Sequence, residues 1–448
     1  MSNEELIIAV KALIEQNDAK GLKELIENLH PVGIAELCDE LSIDEAIFVY
    51  KQLDNELAAD VLVEMDEDTR KDFLKILPPY IIARRFVDNM DTDDAVNMIR
   101  DFDEEQREEI ISHISDVDQA KDILKLLKYD KETAGGIMGT EMVLVNENWS
   151  MPECLKEMRL QAEELDEIYY VYVIDDEEKL KGIFPLKKVI TSPSISKVKH
   201  VMQSDPISVH VDTPVEDVVQ AMRKYSLVAI PVVDSIDRLV GQITVDDVMD
   251  VAQEQAERDY QLASGLSLDV ETDDNIFHQT KARLPWLLFG MIGGIANSVI
   301  LGRFDTIFAQ HPEIALYIPL IGGTGGNVGT QSSAIVVQGL ANKTLDSKDI
   351  FKQVGKESVV ALVNATIISL IVYSYNLAVY DASATIVYSV PICLFAVVMF
   401  ASMFGTLVPM ILEKLKIDPA IATGPFITIT NDFIGMLIYM IITYLFML

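Results

Sequence analysis

Five apolar stretches follow one another after Lys281: roughly Leu284–Leu301, Ile314–Leu340, Val359–Tyr380, Ala384–Leu412 and Ala420–Leu448. Each reaches or exceeds the ~18–20 residues a helix needs to cross ~30 Å of hydrocarbon. One such stretch could be a buried core helix, but five in succession point to a membrane domain. Lys and Arg set its orientation. Lys281 and Arg283 precede the first stretch, Lys343, Lys348, Lys352 and Lys356 fill the second loop, and Lys414 and Lys416 the fourth. The first loop has Arg303 offset by Asp305 and Glu313, and the third has only Asp381. This bias places residues 1–281 in the cytoplasm and the C-terminus outside a cell (inner) membrane.

Charge divides the chain at the same place. Of 71 acids and 36 Lys or Arg, nine and eight fall in residues 282–448, which leaves 62 and 28 in the first 281. A soluble half this acidic repels nucleic acid and anionic lipid and attracts cations. The cysteines Cys38, Cys154 and Cys393 are scattered, with no CxxC pair, and the six histidines have no HExxH spacing. Neither a disulfide framework nor a structural zinc site is expected. The polar, acidic start predicts no cleavable signal peptide. No nucleophile–base set, Walker A motif or Rossmann fingerprint appears, so an enzyme or an ATP-driven pump is not expected.

Residues 1–130 read as an all-α helical solenoid. An apolar residue followed by a helix-starting residue recurs at Leu41-Ser42, Leu53-Asp54, Met65-Asp66, Leu77-Pro78, Met90-Asp91 and Phe102-Asp103, in steps of 12, 12, 12, 13 and 12. Asp and Ser suit N-caps and Pro a first turn; short helices at such a spacing stack. Residues 131–248 change character. They hold two copies of a βαββα-like pattern, with Val143–Val145, Tyr170–Ile174 and Leu180–Ile183 in the first, and Ile207–Val209, Ala229–Val233 and Leu239–Ile243 in the second. The glycines Gly182 and Gly241 are offset by 59. This α/β region resembles a tandem CBS-domain pair. The resemblance implies an adenine-nucleotide site such as ATP, with Thr244 and Asp247 as the ribose-contacting T-x-x-D. The first copy has Pro185 and Lys188 instead, and a purely structural pair remains the other reading.

Residues 249–281 read as a connecting amphipathic helix. At its junction with the pair, Asp247, Asp250, Glu254 and Glu257 fall within about 80° of one helix face, with Asp246 beside it. Carboxylate oxygens are the ligands that Mg²⁺ and Ca²⁺ prefer, and Asp91, Asp93 and Asp94 could oppose them. An ordinary acidic linker helix explains the same spacing.

The membrane half, residues 282–448, carries two unusual segments. The second stretch contains Gly322-Gly323-Thr324-Gly325-Gly326-Asn327-Val328-Gly329-Thr330-Gln331. Such a run suits close helix approach or a lined cavity, and Asn327 and Gln331, four apart, face one way. The fifth contains Asp432 twelve residues past Ala420, about 18 Å along a helix. A lone carboxylate there needs water, a proton or a cation.

The segments PLIGGTGGNVGTQSS, GTLVPMILEKLKIDPA and GPFITITNDFIGMLIYM resemble the membrane core of MgtE-type Mg²⁺ channels, and the domain order matches end to end. The resemblance implies a five-helix polytopic membrane domain and a homodimer with its pore on the two-fold axis. Asp432 would hold a hydrated Mg²⁺ with Asn327 and Gln331 nearby. Cytoplasmic Mg²⁺ bound by acids among Asp91, Asp94, Asp246, Asp247, Asp250, Glu254, Glu257 and Asp418 would close the pore. The alternatives are a transporter of Co²⁺ or Mn²⁺ and a non-conducting metal or nucleotide sensor. The lack of pore Cys and of His in the apolar segments disfavours soft metals.

Overall fold

The computed structural model describes residues 3–163, 165, 168–193, 195–267, 270, 274–345, 350–381, 384–422 and 424–447. Lys348 of the second loop and Leu448 lie outside them. The chain forms two compact units, residues Met1–Ala252 and Gln253–Leu448.

In the first unit, the repeated Ser and Asp positions start helices. The helix Ile43–Tyr50 follows Ser42, whose N–H donates to Glu45 at 2.9 Å. Asp54 accepts from Leu57 N at 3.0 Å, Asp66 from Asp68 N at 3.1 Å and Asp103 from Gln106 N at 2.9 Å. Each bond satisfies one of the orphan donors of a helix start. The one 13-residue step falls where Pro79–Ile81 runs into a π-helical turn, Ile82–Phe86, and a 3₁₀ turn, Val87–Asn89. A π-turn is how a helix absorbs one extra residue. Asp91 holds the same place before the helix Thr92–Arg100 but makes no side-chain cap bond.

The α/β region forms two sheets. The first has the order β1 (Val143–Asn146), β2 (Tyr170–Ile174), β3 (Leu180–Pro185), β4 (Gln203–Ser204); the second has β5 (Val209–His210), β6 (Ala229–Val233), β7 (Leu239–Thr244). In each, the first pair is parallel and the second antiparallel. The two copies join through their hairpins. Leu180 N donates to Asp237 O and Leu239 N to Glu178 O, each at 3.1 Å. These partners are offset by the same 59 residues as the two glycines, so the copies meet as near-symmetric equivalents. Tyr172 donates to Gln242 across the pair at 2.8 Å.

The copies differ in their cores. Val143, Val145, Cys154, Val171 and Phe184 of the first form a separate cluster. Val218, Met222, Ile230, Val232 and Ile243 of the second belong to one core with the helical region, including Ile99, Ile123 and Leu126. Burial shared this way makes the helical region and the second copy one body.

Among the described residues, five long helices organise the second unit: Ile276–Gly302, Ile318–Ala341, Ile350–Val379, Ile386–Lys414 and Gly424–Met447. Four are long and apolar enough to cross a membrane; the second is not among them. Its glycines, Asn327, Gln331 and Gln338 lower its hydropathy. The boundaries correct several expectations. The helix at the junction runs Val245–Ala263 rather than 249–281. The third long helix begins at Ile350, so Lys352, Lys356 and Glu357 are helical rather than loop residues. The fifth begins at Gly424 after a short 3₁₀ turn, Pro419–Ala422. Asp432 is therefore eight residues, or about 12 Å, into its helix and not about 18 Å.

Candidate functional site

The first unit gathers carboxylates that sequence spacing keeps apart. The helix Thr92–Arg100 lacks a cap from Asp91, and Glu141 supplies one. Its carboxylate accepts from Thr92 N at 3.1 Å, Thr92 Oγ1 at 3.0 Å and Thr140 N at 2.9 Å. Gly139 makes room for this arrangement: a Cβ there would stand 3.1 Å from Glu141 Oε2 and 3.2 Å from Asp93 Oδ2. Gly139 is itself fixed by a reciprocal backbone pair with Gln242, 2.9 Å each way.

Asp93 and Asp94 are half-buried here, facing charges of their own sign. Desolvation, then Asp247, Asp94, Glu141 and Asp91, push Asp93 well above the ordinary carboxylate range. Asp94 is pushed up to about 7 by desolvation, then by Asp247 and Asp91, while Arg70 pulls the other way. Burial also raises Asp247, against the lowering bonds from Thr244. It raises Asp250 with help from Asp246. Asp94, Asp250 and Arg70 line one cavity of about 200 Å³, together with Leu62, Val63 and Asn97. Like charges at this depth cost free energy that a divalent cation would reverse. Among the described residues no three acids, histidines or cysteines converge tightly enough to cage a bare metal ion. A cation that keeps most of its water needs no such cage, and Mg²⁺ is reluctant to dehydrate.

The predicted acids of the junction helix and Asp418 are less enclosed than Asp93 and Asp94. Asp247 turns back on its own Thr244, accepting from that residue's N–H at 3.2 Å and from its hydroxyl. Asp246, Asp250, Glu254 and Glu257 are exposed, and Glu257 accepts from Gln253 at 2.9 Å. Asp418 is exposed and accepts from Ala420 N at 2.8 Å. Pro185 and Lys188, the counterparts of Thr244 and Asp247, are exposed.

The second unit places one carboxylate against glycine. The second and fifth long helices cross so that a Cβ on Gly322 would stand 3.6 Å, and one on Gly326 3.4 Å, from Asp432 Oδ1. Thr330 and Thr428 touch beside them at 3.2 Å, and each is also bonded to its own helix. Asp432 Oδ1 is buried with no hydrogen-bond partner, as are both amide atoms of Asn431. Asn327 and Gln331 are exposed. They lie about 100° and about 140° round their helix from Gly326, so within one chain they point away from Asp432.

Sequence reasoning missed Glu141, Glu357 and Asn431. Glu141 gives no local signal, because the helix start that it caps, at Thr92, lies 49 positions away. Asn431 is adjacent to Asp432 but reads as an ordinary polar neighbour until its amide is seen to be 1% exposed.

Known proteins share this organisation. Residues 318–442 match the model of MgtE, a divalent cation transporter; residues 29–132 match the MgtE intracellular N domain, and 134–194 and 198–254 match CBS domains. The magnesium transporter MgtE of Enterococcus faecalis is 33% identical over 330 residues, covering 74% of this chain and 72% of that protein. The magnesium transporter MgtE of Thermus thermophilus is 29% identical over 98% of this chain and 97% of its own. The crystal structure of the cytosolic domain of the Mg²⁺ channel MgtE in complex with ATP is similar at a TM-score of 0.52 and 30% identity, covering 55% of this chain and 99% of that one. With the family models spanning the helical region, the paired α/β copies and the glycine-bearing helices, the chain belongs to the MgtE family.

Proposed function

We propose that this chain is a Mg²⁺ channel that imports Mg²⁺ across the cell membrane and is closed by cytoplasmic Mg²⁺. The observation that carries the reading is the half-buried carboxylate of Asp432, whose Oδ1 lies buried over two glycines without a hydrogen-bond partner. An acid in a membrane helix without a partner marks an ion pathway. One carboxylate with glycines opposite leaves room for an ion that keeps its water, which suits Mg²⁺.

The second long helix is the fifth membrane span. Its polar content is tolerated because it lines the path rather than facing lipid. Asn327 and Gln331 complete the path in a homodimer, where the exposed amides of both copies face a common axis. The relatives carry the name magnesium transporter, which supports the choice of ion over Co²⁺ or Mn²⁺. Lys and Arg bias places the N-terminal half inside and the C-terminus outside.

Regulation follows from the crowded acids of the first unit. Asp93, Asp94 and Asp247 repel one another when the ion is scarce, and hydrated Mg²⁺ held among them, with Asp91 and Asp250, favours the closed arrangement. ATP binds the second copy at Thr244 and Asp247; the relative solved with ATP supports this assignment.

The test is Asp432→Ala in proteoliposomes carrying a Mg²⁺ indicator. Flux is expected to vanish. Undiminished flux in a protein that remains monodisperse would remove Asp432 from the path.

A further inference from the structure

Glu357 is a buried acid that the transport reading leaves without a role. It stands seven residues into the third long helix, about 10 Å along it, and is 8% exposed. The neighbouring Lys352 and Lys356 are exposed on the same helix. An ionisable group turned inward among membrane helices is costly and marks function until shown otherwise.

Its bonds run to two other helices. Glu357 Oε1 accepts from Ser332 Oγ of the second long helix at 2.7 Å and from Ser402 Oγ of the fourth. The two hydroxyls are 3.0 Å apart. Ser332 and Ser402 are 5% and 1% exposed, so water does not compete for these bonds. A single carboxylate oxygen ties three helices together.

The tie lies one turn from the tightest packing in this unit. Three residues from Ser332 and Ser402, Gly329 and Gly405 meet, and a Cβ on Gly405 would stand 2.3 Å from Gly329 O. On the other side of Gly329, a Cβ would stand 1.8 Å from Asn431 Nδ2 and 2.8 Å from Ile427 Cγ2. The second long helix is thus wedged between the fourth and the fifth with room only for hydrogen. Its register on the fourth helix decides whether Gly322 and Gly326 lie opposite Asp432. A slip of one residue, about 1.5 Å, would bring side chains where none fit.

We propose that Glu357 is a positioning residue for ion passage: through Ser332 and Ser402 it locks the second long helix in register on the fourth, and so holds the glycine face opposite Asp432. The proposal rests on the reading of the second and fifth helices as the path.

The experiment compares Glu357→Ala, Glu357→Gln, Ser332→Ala and Asp432→Ala in proteoliposomes, measuring Mg²⁺ and Ca²⁺ flux per monodisperse protein. Glu357→Ala is expected to cut Mg²⁺ flux about tenfold and to narrow the Mg²⁺ over Ca²⁺ ratio, a change that a smaller folded fraction cannot produce. Glu357→Gln keeps an oxygen that both serines can reach and is expected to restore most of the flux and the ratio. Ser332→Ala should have a smaller effect of the same kind and add little to Glu357→Ala. An unchanged ratio in Glu357→Ala overturns the proposal. So does a Gln variant as defective as the Ala variant, because charge rather than position would then be the function. Asp432→Ala separates the two claims: if it abolishes flux while Glu357→Ala leaves the flux and the ratio unchanged, the path stands and the positioning role falls, and if Asp432→Ala leaves flux undiminished, the path reading itself fails.

Discussion

On the proposed function, Asp432 and the Asp93–Asp94–Asp247 group would put the same chemical group to opposite uses. Asp432 is a lone acid with an unpartnered oxygen and glycines across from it. In the first unit, desolvation and then the neighbouring acids raise Asp93 and Asp94. One carboxylate from each copy in a polar path would hold a hydrated ion weakly enough for release, as conduction requires. Several carboxylates forced together store repulsion that falls when a cation arrives, as sensing requires. In this reading the number of acids around the ion, and not their chemistry, separates passage from regulation.

The contrast can be broken most severely at the glycines. Gly326→Val adds branched bulk where a Cβ alone would stand 3.1 Å from Thr428 Cγ2 and 3.4 Å from Asp432 Oδ1. Overpacking of this kind costs about 1–3 kcal/mol. Mg²⁺ flux is expected to fall at least about tenfold, measured beside a thermal melt that reports folding. An Asp432 that simply packs against protein would tolerate the change.

A smaller effect is expected where the acids crowd. Asp93→Asn with Asp94→Asn removes the repulsion that Mg²⁺ would relieve. The Mg²⁺-free protein should melt several degrees higher, and added Mg²⁺ should raise its melting temperature by less than half the wild-type shift. An unaltered Mg²⁺ response in the variant would place the sensing ion elsewhere.

The same group predicts a pH dependence. Asp94 is held near about 7, and Asp93, Asp247 and Asp250 are shifted in the same direction. The folded state therefore binds protons that the unfolded chain has released above about pH 4. Without Mg²⁺, stability contributed by these protons is lost as pH rises through about 7. Melting curves from about pH 5 to about pH 8 should decline without Mg²⁺ and flatten with it. A decline that saturating Mg²⁺ leaves untouched would separate the titrating acids from the ion.

The smallest effect concerns the caps. Asp54 bonds Leu57 N, whereas Asp91 makes no cap bond and Glu141 serves its helix instead. Asp54→Ala should cost about 1 kcal/mol, Asp91→Ala less, and Glu141→Ala at least as much as Asp54→Ala. Denaturant unfolding of the three variants would rank them.

Legibility in the sequence followed the range of the interactions. The caps at Ser42, Asp54, Asp66 and Asp103 are local, so a 12-residue spacing reveals them. The lengthened step at Met90 is visible too, but its resolution into π and 3₁₀ turns is not. Asp432 stands out because hydropathy isolates one acid in an apolar stretch. Glu357 does not, because Lys352 and Lys356 beside it make the segment read as a loop until the helix is seen to start at Ile350. Glu141 and Asp93 meet only because the helical region and the second α/β copy share one core, and no sequence period encodes that contact.

The division of labour is tested most directly by Mg²⁺ flux into proteoliposomes with internal Mg²⁺ set separately, on the wild type and on Asp247→Asn with Asp250→Asn. Wild-type flux should fall as internal Mg²⁺ rises, while the variant conducts undiminished at every internal concentration. Equal inhibition of both proteins would contradict the assignment of sensing to the crowded carboxylates.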